Sequence, residues 1–212
     1  MTFTARIIHA SALTALALAA TACGAEGSAS EETVQQEFTG SARFSTALLK
    51  DASGKGVGWI FFSPGREGTV VSVSVDIPEF MGGVHGLHVH ANDNPANGEG
   101  CVADPAQPAS THFVSADGHY NPAGATHGDH SGDMPALPFT HSGKARMSFV
   151  TDHFTPEDLK GKAVILHQAA DNYGNVPVGT APNQYTPNSG EATTLTQNTG
   201  NAGARIACAV IQ

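Results

Sequence analysis

The run Thr69–Ile77, TVVSVSVDI, sets the tightest limit on what this chain can fold into. Val71, Val73, Val75 and Ile77 fall on one face, and Ser72, Ser74 and Asp76 fall on the other. A two-residue alternation is the period of a strand with one face in a core and the other in water. Further short runs at 42–49, 56–62, 83–90, 135–140, 144–150, 162–168 and 204–211 have the length of strands. Turn sequences separate several of them: Asp51-Ala52-Ser53-Gly54, Ser63-Pro64-Gly65 and His141-Ser142-Gly143. Eight such strands predict an all-β chain, an antiparallel sandwich or barrel. The 24 glycines and 12 prolines suit short strands joined by turns. A helical turn is predicted only at Pro156–Leu159. Two connections, Ala91–Met134 and Ala169–Gly203, are long and read as structureless; loops of that length carry function or are disordered.

The first long connection and the strand before it, Val84–Pro135, hold seven of the 11 histidines. In His85-Gly86-Leu87-His88-Val89-His90, strand alternation sends Leu87 and Val89 to the core. His88 and His90 then point together to the other side, spaced to chelate one ion. His119 stands in the turn-like Gly118-His119-Tyr120-Asn121-Pro122, and HGDHSGD supplies His127, His130 and Asp133. Imidazole nitrogens suit copper and zinc. Three histidines and an aspartate make a closed four-coordinate zinc shell of the structural kind. His167 ends the strand Val164-Ile165-Leu166-His167.

Charge and termini restrict the partners. The formal net charge is −9 and charged residues are 14% of the chain, which argues against nucleic acid or an anionic membrane surface. Residues 1–22 carry Arg6 and then a short apolar run, Ala10–Ala22, and read as a signal peptide. Ala20-Thr21-Ala22-Cys23 resembles a bacterial lipoprotein cleavage box, with Ala where Leu is usual, so Cys23 is the expected lipidation site. Residues 23–38 are polar and read as a flexible tether, and residues 39–212 as one domain. The membrane is then reached only through a lipid anchor, and the folded part lies outside the cytoplasm. Of three cysteines, Cys101 and Cys208 remain as an even pair.

With these residues in view, the chain from about 40 to 212 resembles copper–zinc superoxide dismutase. The HGLHVH strand resembles the family's copper His-x-His, GHYNP its bridging-histidine turn, and His130-Ser131-Gly132-Asp133 its His-x-Gly-Asp. Gly200–Ile211, GNAGARIACAVI, resembles its C-terminal signature. The resemblance implies an eight-stranded antiparallel Greek-key β-barrel with two long functional loops. It implies copper on His88, His90, His119 and His167, and zinc on His119, His127, His130 and Asp133. It also implies Asp171 as an aspartate connecting the two sites, Arg205 as the active-site arginine, Thr199 lining the channel, and a Cys101–Cys208 disulfide. His119 and Arg205 are the expected catalytic residues. His9, His85, His112, His141 and His153 are expected to have no site role.

The implied activity is dismutation of superoxide to oxygen and hydrogen peroxide, with copper alternating between two oxidation states and protecting against superoxide outside the cytoplasm. Two alternatives stand beside it. One is a non-catalytic copper- or zinc-binding lipoprotein. The other is a copper-only dismutase, because the step from His127 to His130 is shorter than the family's usual subloop. The oligomeric state is left open, with a homodimer among the options.

Overall fold

A computed structural model describes residues 44–80, 82–98, 100–173 and 190–212. The proposed signal peptide, tether and Cys23 lie outside these residues. The alternating run forms β3 (Thr69–Asp76), and Val71, Val73 and Val75 are buried along one face. Each such side chain contributes about 1.5–3 kcal/mol by leaving water. Its antiparallel neighbours are β2 (Gly56–Pro64) and β7 (Lys144–Thr151). β2 pairs in turn with β1 (Ser45–Asp51).

The remaining strands are β4 (Val84–His85), β5 (Leu87–His90), β6 (Leu137–Pro138), β8 (Ala163–His167) and β9 (Arg205–Val210). Seven strands form one curled antiparallel sheet in the order β5-β8-β9-β1-β2-β3-β7, and β4 pairs with β6 in a second small sheet. The half-barrel matches the predicted class, with three corrections. The single strand expected over 83–90 breaks at Gly86 into β4 and β5, giving nine strands among the described residues. The cause is a close approach: a Cβ on Gly86 would stand 2.8 Å from the Ala202 Cβ, and the Gly86 amide and carbonyl bond to Ala169 and His167. The strand expected over 135–140 shrinks to Leu137–Pro138. The second long connection holds α1 (Gly190–Thr199) rather than being structureless. The first also carries three short 3-10 turns, Pro95–Asn97, Ala109–Thr111 and Val114–Ala116. Around Pro156–Leu159 there are only successive four-residue turns, closed by Asp158 N–H to Thr155 O and Lys160 N–H to Glu157 O.

β5 and β8 decide where the site lies. All four residues of β5 and all five of β8 are buried, so both faces of this sheet edge are covered. Leu87, Val89, Val164 and Leu166 enter the main core with Ile60, Phe62 and Val73. On the opposite face, Ala163, Ile165 and Cys208 pack with Phe113 and Ala116 from the first long loop. That face of β5 carries His88 and His90 into the protein interior.

Candidate metal centre

The first long loop returns to β5 and pairs with it residue by residue. His90 faces His119 and His88 faces Asp133 through isolated β-bridges. Val89 N–H donates to Gly132 O at 2.8 Å, and Tyr120 N–H donates to Val89 O at 2.8 Å. A Cβ on Gly132 would stand 2.3 Å from Val89 O, so only glycine lets the loop come this close. The two bridges place the loop's ligand-type residues opposite those of the strand. β8 adds His167 from its end.

Four rings meet: His88, His90, His119 and His167 offer nitrogens that all lie within 4.8 Å of one another. Each ring is held by its outer nitrogen. His88 Nε2 bonds Asp171 Oδ2 at 2.5 Å, and His119 Nδ1 bonds Asp133 Oδ1 at 2.8 Å. His90 Nδ1 donates to Asp117 O at 2.8 Å, and His167 Nδ1 donates to Gly203 O at 3.2 Å. A carbonyl accepts but cannot donate, so it fixes the proton on the outer nitrogen and leaves the inner lone pair bare. The inner atoms, His88 Nδ1, His90 Nε2, His119 Nε2 and His167 Nε2, are buried without any hydrogen-bond partner. Buried polar atoms are rarely left so, and four converging imidazole lone pairs fit copper. Burial, then neighbouring positive groups, pushes the His90 and His167 pKa values well below the usual histidine value. Burial lowers His119 to about 3 against the pull of Asp133. These rings are therefore neutral, the form a metal needs.

A second cluster adjoins the first through His119. His88, His119, His127 and Asp133 also place donor atoms within 4.8 Å of one another. His127 Nδ1 lies 3.2 Å from Asp133 Oδ2 and has no hydrogen-bond partner. His130 Nδ1 lies 3.3 Å from His119 Nδ1 and 3.4 Å from Asp133 Oδ1. The expected zinc residues are thus brought together, with His88 also within the tight set and His130 beside it. Burial works against a charged His127, but Asp133 and Asp171 outweigh it and raise its pKa to about 9. Hydrogen bonds from histidines hold Asp133 and Asp171 well below the usual carboxylate range despite their burial.

Asp171 ties the clusters together. Its Oδ2 engages His88, its Oδ1 engages His127 Nε2 at 2.7 Å, and Tyr173 N–H adds a bond of 2.6 Å. Over it lies the end of α1, which the sequence reading missed. Gly200 N–H bonds Thr196 O, His127 N–H bonds Gln197 O, and Asn172 N–H bonds Gly200 O. Gly200 has φ +59°, and a Cβ there would fall 2.0 Å from Asp171 Oδ1 and 2.4 Å from His127 Nε2. A glycine just past a Thr-rich, weakly amphipathic segment was the available signal for that helix end. Thr199 is the last residue of α1 and is partly buried.

Arg205 begins β9 opposite His167. Its guanidinium is partly buried and donates from Nη1 to Phe113 O and from Nη2 to Asp117 O, both at 2.5 Å. Burial lowers its pKa while Asp117 opposes the fall. Cys101 and Cys208 form a disulfide, with a Cα separation of 5.6 Å across 107 residues of sequence. His85 stacks on Phe80 at 4.3 Å and bonds His167 O at 3.1 Å, a packing role. His112 bonds the Asp104 and Gln107 carbonyls, away from both clusters.

Comparison with known proteins agrees with this geometry. The family model for copper/zinc superoxide dismutase (SODC) matches residues 57–211, more than half of the chain. A Cu-Zn superoxide dismutase of Mycobacterium tuberculosis is 37% identical over 150 residues, covering 68% of this chain and 59% of the relative. One from Deinococcus radiodurans is 34% identical over 147 residues, covering 63% of this chain and 76% of the relative. The match thus spans under two thirds of the mycobacterial protein. Among solved structures, the Cu/Zn superoxide dismutase of Brucella abortus aligns with a TM-score of 0.57 at 24% identity, covering 80% of this chain and 100% of that one, a likeness of fold. The chain belongs to the copper/zinc superoxide dismutase family.

Proposed function

We propose that the chain converts superoxide to oxygen and hydrogen peroxide at a copper ion held by His88 Nδ1, His90 Nε2, His119 Nε2 and His167 Nε2. The observation that carries this is the convergence of those four nitrogens, buried and without protein partners. Copper, when bound, supplies one-electron chemistry, taking an electron from one superoxide and returning it to a second. The protein's own groups do the rest. Neutral imidazoles serve both oxidation states, where a thiolate would favour the reduced one. Arg205 is the cation that receives an anionic substrate in a chain of net charge −9, and a local field of this kind raises encounter rates against an unfavourable overall charge. Its two carbonyl partners hold it in place. With zinc on Nδ1, His119 Nε2 would be the atom that holds a proton when it is not holding copper. Thr199 narrows the approach.

Zinc is assigned to His119, His127, His130 and Asp133, a closed N3O set of the structural type. The carboxylate of Asp171, between His88 and His127, orients a ring in each site. Metal analysis of the purified protein beside a superoxide assay tests this reading. Copper and zinc near one each, with fast dismutation, supports it. Metal without turnover supports the metal-binding lipoprotein instead. Active protein with copper alone supports the copper-only enzyme.

The domain plan proposed is a signal peptide over 1–22, a tether over 23–38 and the catalytic domain over 39–212, anchored by lipid on Cys23 outside the cytoplasm. The Cys101–Cys208 disulfide supports an oxidising compartment. Mass spectrometry of the mature protein tests the anchor: any N-terminus other than an acylated Cys23 overturns it.

A further inference from the structure

Two non-glycine residues in the first long loop have left-handed backbones on either side of the Val114–Ala116 turn. Phe113 has φ 58° and ψ 20°, and Asp117 has φ 64° and ψ −156°. The second combination belongs almost wholly to glycine, and here the chain places aspartate in it with glycine next along. A residue kept against its backbone preference is held by something else. At Phe113 the ring is buried and the amide bonds Val102 O at 2.7 Å. At Asp117 the carboxylate reaches across the loop. Its Oδ2 accepts from the Asp93 and Asn94 amides, both at 2.8 Å, and its Oδ1 accepts from Asn97 Nδ2 at 2.7 Å.

The Asp117 carbonyl has two clients. It accepts from His90 Nδ1 at 2.8 Å and from Arg205 Nη2 at 2.5 Å. One carbonyl has two lone pairs, and both are used here by groups that the proposed reaction needs. Turning this peptide plane would release the proton position on His90 and the reach of Arg205 together. Phe113 O holds the other arm of the guanidinium, so Arg205 rests on the two left-handed residues.

We infer that Asp117 is a positioning residue: its side chain, tied to the 93–97 turn, fixes the carbonyl that orients both His90 and Arg205. The inference rests on the copper reading of the four-histidine pocket. Asn matches Asp in size and keeps an acceptor for the two amides. Gly takes the backbone freely but loses all three ties.

The test compares Asp117→Gly, Asp117→Asn and the wild-type full chain, each loaded with copper and zinc. It reads kcat/KM for superoxide, the Cu(II) electron paramagnetic resonance spectrum and the melting temperature. Asp117→Gly is expected to lower kcat/KM by about tenfold and to change the copper hyperfine pattern. Asp117→Asn is expected to recover most of the rate and the native spectrum. If Asp117→Gly does not fold, Asn97→Ala removes one exposed tie and is expected to change rate and spectrum in the same direction, by about twofold in rate. Variants that melt lower but keep the wild-type spectrum and kcat/KM overturn the inference, because a merely structural side chain behaves that way. A wild type that turns over while the variants match it overturns this inference alone. A wild type that takes up no copper overturns the pocket reading and this inference with it.

Discussion

At the scale of single residues, the histidines were legible and the groups that aim them were not. His88 and His90 announce themselves by alternation on a strand, and the HGDHSGD run by the density of ligand types. Their tautomers depend on Asp117 O and Gly203 O, and a backbone carbonyl leaves no mark in composition. Asp171 was legible only through the family resemblance. Arg205 is the residue whose role is most open to direct test, since it is partly buried and held by two carbonyls yet lies outside both proposed ligand sets. Arg205→Ile is expected to lower kcat/KM about tenfold, on the order of 1–2 kcal/mol of lost encounter and positioning, while copper stays bound. Stopped-flow rates on copper-loaded protein measure this, and an unchanged kcat/KM removes Arg205 from the mechanism.

At the scale of elements, strands with one wet face were readable because period two is a strong signal, as β3 shows. Gly83–His90 read as one strand because nothing in its pattern reports that Ala202 closes on Gly86. α1 was missed for the opposite reason. GEATTLTQNT has a single leucine and no apolar stripe, so its position follows from what its end contacts, His127 and Asn172. The disulfide joins elements as well: Cys208 on β9 holds Cys101 in the loop whose residues 113 and 117 receive Arg205. A closed loop of this length stabilises by about 4–5 kcal/mol in the chain-entropy account. Reduction of the pair is therefore expected to lower the melting temperature by several degrees in calorimetry, with loss of activity accompanying it. Equal melting with and without reductant contradicts this.

At the scale of the whole molecule, burying so many titratable groups makes the metal-free protein sensitive to acid. His90, His119, His130 and His167 have lowered pKa values, chiefly from burial. As pH falls through 6.5, the ordinary histidine value, the unfolded chain binds protons on these rings and the folded chain does not, which favours unfolding. Asp133 and Asp171 are held below 3.8, so the stability they give is present above that pH and is lost as pH falls through their folded values. His127 runs the other way. Raised to about 9, it gives stability that is complete below 6.5 and lost as pH rises through 9. Four lowered histidines outweigh one raised, so the melting temperature of metal-free protein is expected to fall as pH goes from 6.5 to 4, and more gently from 6.5 to 9. A melting temperature that climbs between pH 6.5 and 4 contradicts the burial of neutral rings.

The proposed copper pocket, built by His88, His90, His119 and His167, is expected to hold a single copper that turns over superoxide. Titrating metal-free, zinc-supplied protein with copper while following decay of a superoxide pulse tests it most directly. The catalytic rate is expected to rise linearly with copper and to stop at one equivalent per chain, with many superoxides consumed per copper. A protein that binds its first equivalent without turnover, or a rate that rises only with copper beyond one equivalent, would contradict it.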